Sequence, residues 1–160
     1  ELGDLGSGSW LGREALRAVL RADDALGART ALTAAIAQPV GAPSDIQAWL
    51  AQREPLPRRL ATLAPLVLDA AADGDAVAGE IVAEAIRLLT ATAVAASTRT
   101  ADVVIHAGLT DHAWFRASLT SSLQAAGRTI VPASGDALDG ALLLARRTDL
   151  PHERFVHRAE

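Results

Sequence analysis

The residues best equipped for ligand chemistry lie at the start of the chain, in the string GDLGSGSW at positions 3 to 10. Gly3, Gly6 and Gly8 permit positive φ and close backbone approach just before a helix N-terminus, where free N–H groups favour an anion or a polar ligand. Asp4 is the one carboxylate in this loop. The loop is not a Walker A motif, because the chain contains no lysine, and its G-x-x-G-x-G order differs from the G-x-G-x-x-G dinucleotide fingerprint. A plain turn in which Asp4 or Ser7 caps backbone groups fits the same spacing.

A second candidate is HAGLTDH at positions 106 to 112, which follows the β-branched run Val103, Val104, Ile105. Ligands of open α/β sheets sit beyond the carboxyl ends of strands, and Gly108 leaves room there. A glycine that merely ends the strand is the competing reading.

Other chemistries find less support. His152 and His157 are five apart, whereas a zinc-protease helix needs histidines four apart on one face. His106 and His112 have no cysteine partners, and no serine stands in G-x-S-x-G. Asp73 and Asp75 flank Gly74 between two predicted helices, where capping accounts for them. Trp10, Trp49 and Trp114 fall near helix starts or in amphipathic segments, as packing residues do.

The elements that must position these residues are mostly helical. Apolar spacing predicts helices over about 9–24, 30–37, 44–52, 55–72 and from Asp75 onward past Leu89. Pro39, Gly41 and Pro43 are expected to break the chain, Pro55 and Pro57 to start a helix, and Asp75 to cap the one after Gly74. Val103 to Ile105 reads as a buried strand, Thr110 or Asp111 as the cap of a helix to about Ala126, and Thr129 to Val131 as a second strand. This is a parallel βαβ unit, closed by a helix over 137–147. The segment 151–160 is read as a tail without periodicity.

Half of the 160 residues are hydrophobic but only 3% are aromatic, a mix suited to closely packed helices. Arginine supplies all 15 basic side chains, and the net charge of −4 is not gathered into a basic stripe, so nucleic acid is not an expected partner. The absence of cysteine rules out disulfides and thiolate clusters and leaves the cytoplasm as the default. The apolar stretch from Ile81 to Ser97 contains Glu84 and Arg87 and is too short to span a membrane. With no methionine and a start inside a glycine-rich string, the chain reads as a fragment.

The string GDLGSGSWLGREALRAVL resembles the GD-acidic-GSG-x-W-x-G-x-x-A segment of the BadF/BadG/BcrA/BcrD ATPase family, to which N-acetylglucosamine kinases belong. VVIHAGLTDHAWF is similar to that family's adenosine-side strand, turn and helix, and PASGDALDGALLLA to its closing helix. The resemblance implies a helix-dominated α/β fold, the C-terminal lobe of an actin-like (ribonuclease-H-like) sugar kinase with inserted helices. Residues 1–150 would be a partial lobe, with the helical insert at about 9–98 and strand-helix-strand-helix over about 102–147.

The implied activity is transfer of the γ-phosphoryl of Mg-ATP to a sugar hydroxyl. Asp4, Gly6, Ser7 and Gly8 would meet an amino sugar or hexose, and Gly108 and Leu109 would lie against the adenosine. The catalytic aspartate and phosphate loops would belong to a missing N-terminal lobe, so the chain alone is expected to be inactive. A homodimer is left open. Leu5 stands where relatives often carry glutamate, which leaves the sugar unassigned. The alternatives are a non-catalytic sugar- or nucleotide-responsive module, or an activator ATPase of a 2-hydroxyacyl-CoA dehydratase, the latter disfavoured by the lack of cysteine.

Overall fold

A computed structural model of the protein describes residues 4–155. Its first helix, α1 (Gly8–Asp23), forms because Leu11, Ala15, Leu16 and Val19 recur on one face while Ser7 caps the N-terminus through its side chain. Ala25, at φ 55°, turns the chain away after Asp24. Leu11, Ala15, Leu16 and Val19 are all buried in the core.

The next helices wrap around α1. Helix α2 (Leu32–Val40) starts and ends later than the sequence predicts and carries Pro39 in its last turn. Thr30 and Ala31 do not enter it because both bond the Asp75 carboxylate, and a proline so near the end removes only one ladder bond. A 3₁₀ turn (Pro43–Asp45) leads into the short α3 (Ile46–Leu50). The single helix expected over 55–72 is two, α4 (Leu56–Ala61) and α5 (Ala64–Ala72). Pro65 forces the break, since it lacks an N–H and its ring would clash with the carbonyl four residues back, at Ala61.

Helix α1 packs on α4, α5, α6 and α2. Its crossing with α4 is tightest at Gly12, where a Cβ would collide with the Leu60 carbonyl oxygen and lie 2.8 Å from the carbonyl carbon. No larger residue fits between these two backbones.

Helix α6 (Ala76–Ala96) starts at Asp75, as its sequence suggests. Asp75 Oδ1 accepts from the Ala78 N–H at 2.8 Å and from the Thr30 hydroxyl at 2.9 Å, and Oδ2 accepts from the Ala31 N–H at 2.7 Å. One carboxylate thus caps α6 and fixes the entry to α2. Burial alone would raise its pKa, but the N–H groups of Ala78 and Ala31 and the Thr30 hydroxyl outweigh this and hold it below the ordinary value.

Two strands follow, β1 (Asp102–Val103) and β2 (Thr129–Ile130), paired in parallel with Asp102 opposite Thr129 and Val103 opposite Ile130. Between them lie a 3₁₀ turn (Gly108–Asp111) and α7 (Ala113–Ala125). The βαβ unit is as predicted, but the buried three-residue strand is not. Val104 is 48% exposed, because this sheet has only two strands among the described residues and parallel strands become buried only between further strands and helices.

The cap of α7 is His112, not Thr110 or Asp111. Thr110 is already committed, its hydroxyl donating to the Ala107 carbonyl at 2.6 Å to close the 3₁₀ turn. His112 Nδ1 accepts from the Phe115 N–H, and its Nε2 lies 3.2 Å from Asp69 Oδ1 on α5. Helix α8 (Ala137–Arg146) begins with a capping box between Asp136 and Asp139, and its Leu138, Leu142, Leu143 and Leu144 are exposed. A further 3₁₀ turn (Pro151–Phe155) ends the described chain, and the rest of the predicted tail lies outside it. No helix among the described residues is long and apolar enough to cross a membrane.

Three substitutions test this framework by urea or thermal unfolding. Gly12→Ala is expected to cost about 1–3 kcal/mol or more by forcing α1 from α4, whereas Gly79→Ala, with open space at its Cβ, costs nothing or stabilises by up to about 1 kcal/mol. Asp75→Ala is expected to cost about 1–3 kcal/mol. Because the folded pKa of Asp75 is lowered, its contribution is complete above the ordinary carboxylate pKa of about 3.9 and disappears as pH falls through the folded value. A Gly12→Ala protein as stable as the parent would refute the crossing argument.

Candidate functional site

The glycine-rich loop is a built turn. Gly6 is buried at φ 81°, and a Cβ there would lie 2.8 Å from the Ala85 carbonyl oxygen and 2.9 Å from Leu89 Cγ. Glycine is therefore required twice at this position, for its backbone angle and for its seat on α6. The Ser7 N–H donates to the Asp4 carbonyl at 3.2 Å, closing the turn that delivers the chain to α1.

Its hydroxyls and carboxylate form one network. The Ser9 hydroxyl donates to Asp4 Oδ2, Ser7 Oγ lies 3.1 Å from Ser9 Oγ, and Ser7 Oγ accepts the Trp10 N–H at 3.2 Å. Hydrogen bonds from Ser7 and then Ser9 hold the Asp4 carboxyl below its ordinary value, against a smaller opposing effect of burial, and Arg13 adds to the lowering. Asp4 is therefore ionised at neutral pH. Its lone pairs exceed what two hydroxyls use, so it can accept further bonds from a ligand hydroxyl. Ser9, buried and central to this network, is not singled out by the sequence; its place in the first turn of α1 gives no signal of a contact back to Asp4.

The second candidate turn faces the same side of the molecule. A groove of about 400 Å³ is lined by Ser7 and Gly8 from the glycine loop and by the chain from Val103 to Thr110, including Gly108 and Leu109. Leu89 and Ala93 of α6 and Phe115 and Leu119 of α7 form its walls. Ser7, Gly8, Gly108 and Leu109 thus share one cavity, while Asp4 and Gly6 do not line it. The turn is braced by Arg116, whose Nε donates to the Thr110 carbonyl at 2.6 Å, a contact six residues apart that no helical or strand pattern reveals. A Cβ on Gly108 would meet nothing within 4 Å, so this glycine leaves open space.

The lining decides what the groove can hold. It is mostly aliphatic and aromatic, with the Ser7 and Thr110 hydroxyls and His106 as its polar side chains, and among the described residues neither arginine nor a carboxylate lines it. Such a surface suits a flat, largely apolar ring better than a phosphate. Among the described residues no group of three or more His, Asp or Glu could hold a metal ion.

The chain is similar to the "Putative N-acetylglucosamine Kinase" from Chromobacterium violaceum, known from a crystal structure, at 31% identity and a TM-score of 0.73. The match covers 89% of this chain and 48% of that one, so this chain spans about half the length of that protein. No protein-family model matches the chain, and no curated protein does.

Asp4 has a measurable role even without ligand. Asp4→Ala is expected to cost about 1–3 kcal/mol in unfolding experiments, because the buried Ser9 hydroxyl loses its acceptor. The double variant Asp4→Ala/Ser9→Ala should be clearly less damaging than the sum of the two single variants. Since the folded pKa is lowered, the contribution persists above about pH 3.9 and is lost as pH falls below that range. Strict additivity would mean that the two side chains act independently.

Proposed function

We propose that this chain is the C-terminal portion of a cytoplasmic, ATP-dependent sugar kinase of the BadF/BadG/BcrA/BcrD type, with an actin-like core. In this reading Asp4 accepts a hydroxyl of an amino sugar or hexose, and the backbone of Gly6, Ser7 and Gly8 shapes the sugar pocket. Gly108 and Leu109 lie against the adenosine. The observation that carries the reading is the groove itself, which joins the glycine loop to the turn after β1 within a fold similar to a kinase-like structure.

The chemistry divides accordingly. The apolar groove binds and orients a nucleoside ring, and the ionised Asp4 orients a sugar hydroxyl. Phosphoryl transfer also needs a base and a cradle for the phosphates, and among the described residues no carboxylate or arginine lines the groove. Mg²⁺ bound with a nucleotide is held largely by phosphates and one or two carboxylates, and the described residues offer no cluster for it. We assign the base, the phosphate loops and the metal contacts to a further lobe of polypeptide.

Two measurements test this. The 160-residue chain is expected to show no ATP turnover above background with N-acetylglucosamine or glucosamine in a coupled assay, and any clear turnover would overturn the division of labour. Gly108→Val adds bulk into open space, so it should leave the melting temperature unchanged while weakening adenosine or ATP binding about tenfold by calorimetry, close to 1.4 kcal/mol. Unchanged nucleotide affinity would remove the adenosine from this groove.

A further inference from the structure

The side of the sheet where β1 and β2 begin carries a second depression, of about 500 Å³. It lies between the C-terminal end of α6, the connection to β1 and the residue before β2. Ser97, Thr98, Arg99 and Thr100 line it from one side and Arg128 from the other. Among the described residues no carboxylate lines it, although the chain as a whole carries a net charge of −4. Asp102, the nearest acid in sequence, lies outside the lining.

Both guanidinium groups have unused donors. Among the described residues Arg128 Nε has no hydrogen-bond partner, but it is buried, so a ligand would meet the Nη groups. Its Nη1 and Nη2 reach only the carbonyls of Gly127 and Val94, both at 3.4 Å, long for a charged donor. Arg99 is exposed and, among the described residues, forms no hydrogen bond or ion pair. Thr100 Oγ1 accepts the Asp102 N–H at 3.1 Å, which leaves its own proton free to donate.

The opposing field is weaker than this pair of charges. The C-terminus of α6 presents roughly half a negative charge, which Arg128 offsets by its contact with Val94, and Arg99 remains as a full positive charge. A tetrahedral oxyanion supplies several acceptors to a forked donor and hydroxyls at once. The depression also exceeds the volume of one ion and falls within the range of small-molecule pockets.

We infer that this depression binds a phosphate dianion, free or as the phosphoryl group of a small metabolite. The site is independent of the proposed kinase reading, and its failure would leave that reading untouched. Inorganic phosphate and glucose 6-phosphate, with glucose as the uncharged control, are titrated by calorimetry into the 160-residue protein. Saturable binding at about millimolar strength or tighter is expected for the phosphates and none for glucose. Tighter binding of glucose 6-phosphate identifies a phosphorylated metabolite, and equal affinities identify free phosphate.

Arg99→Ala should weaken phosphate binding at least about fivefold, and Arg99→Glu should abolish it, with melting unchanged because this side chain is exposed and unpaired. Arg53→Ala, on a turn elsewhere, should change nothing. Raising salt from about 50 to about 300 mM should weaken binding. Absence of saturation by about 20 mM, or an Arg99→Glu protein that binds as the parent does, would overturn the site.

Discussion

The fold rests on how closely α1 can approach its neighbours. At Gly12 the backbone of α1 meets the backbone of α4 with no room for a side chain, and α5, α6 and α2 take their places around the same helix. Close packing of this kind gives many dispersion contacts per residue and compensates for a chain poor in large aromatic groups. The same helix is entered through the glycine loop. Any displacement of α1 therefore moves Asp4, Ser7 and Gly8 together.

Two carboxylates join backbone order to this packing. Asp75 fastens the starts of α2 and α6, and Asp4 fastens the hydroxyls that begin α1. Both are stabilised as anions by donors supplied by the fold. They differ in what they leave available. Asp75 is engaged by three donors from two elements, whereas Asp4 is engaged by neighbouring hydroxyls and retains acceptor capacity for a ligand.

The groove and the depression on the two sides of the sheet have opposite character. One is lined by leucines, valines and a phenylalanine around two glycine turns, the other by arginines and hydroxyls. This separation follows from βαβ topology, since the turn that follows β1 and the segments that precede β1 and β2 emerge on different sides. An apolar ring and a phosphate dianion would be sorted between them by desolvation alone, because a charge loses its hydration in the first and regains donors in the second.

The sequence by itself determined the helix-rich class, the order of most elements, the cap at Asp75 and the parallel pair of strands. These depend on local patterns: apolar spacing, a carboxylate just before a helix, a β-branched run ended by glycine. It also marked two candidate sites, the glycine loop because it is a glycine-rich string before a helix and the Gly108 turn because it follows the carboxyl end of a strand. Only the tertiary structure decided that Ser7, Gly8, Gly108 and Leu109 line one groove, that Ser9 holds Asp4, and that Arg116 braces the turn. It also split the helix over 55–72 and gave the cap of α7 to His112 rather than Thr110. Periodicity records which face of an element is apolar, but not which partner each polar atom finds. That choice is made when segments far apart in the sequence come to border one groove, as the glycine loop and the β1 turn do here.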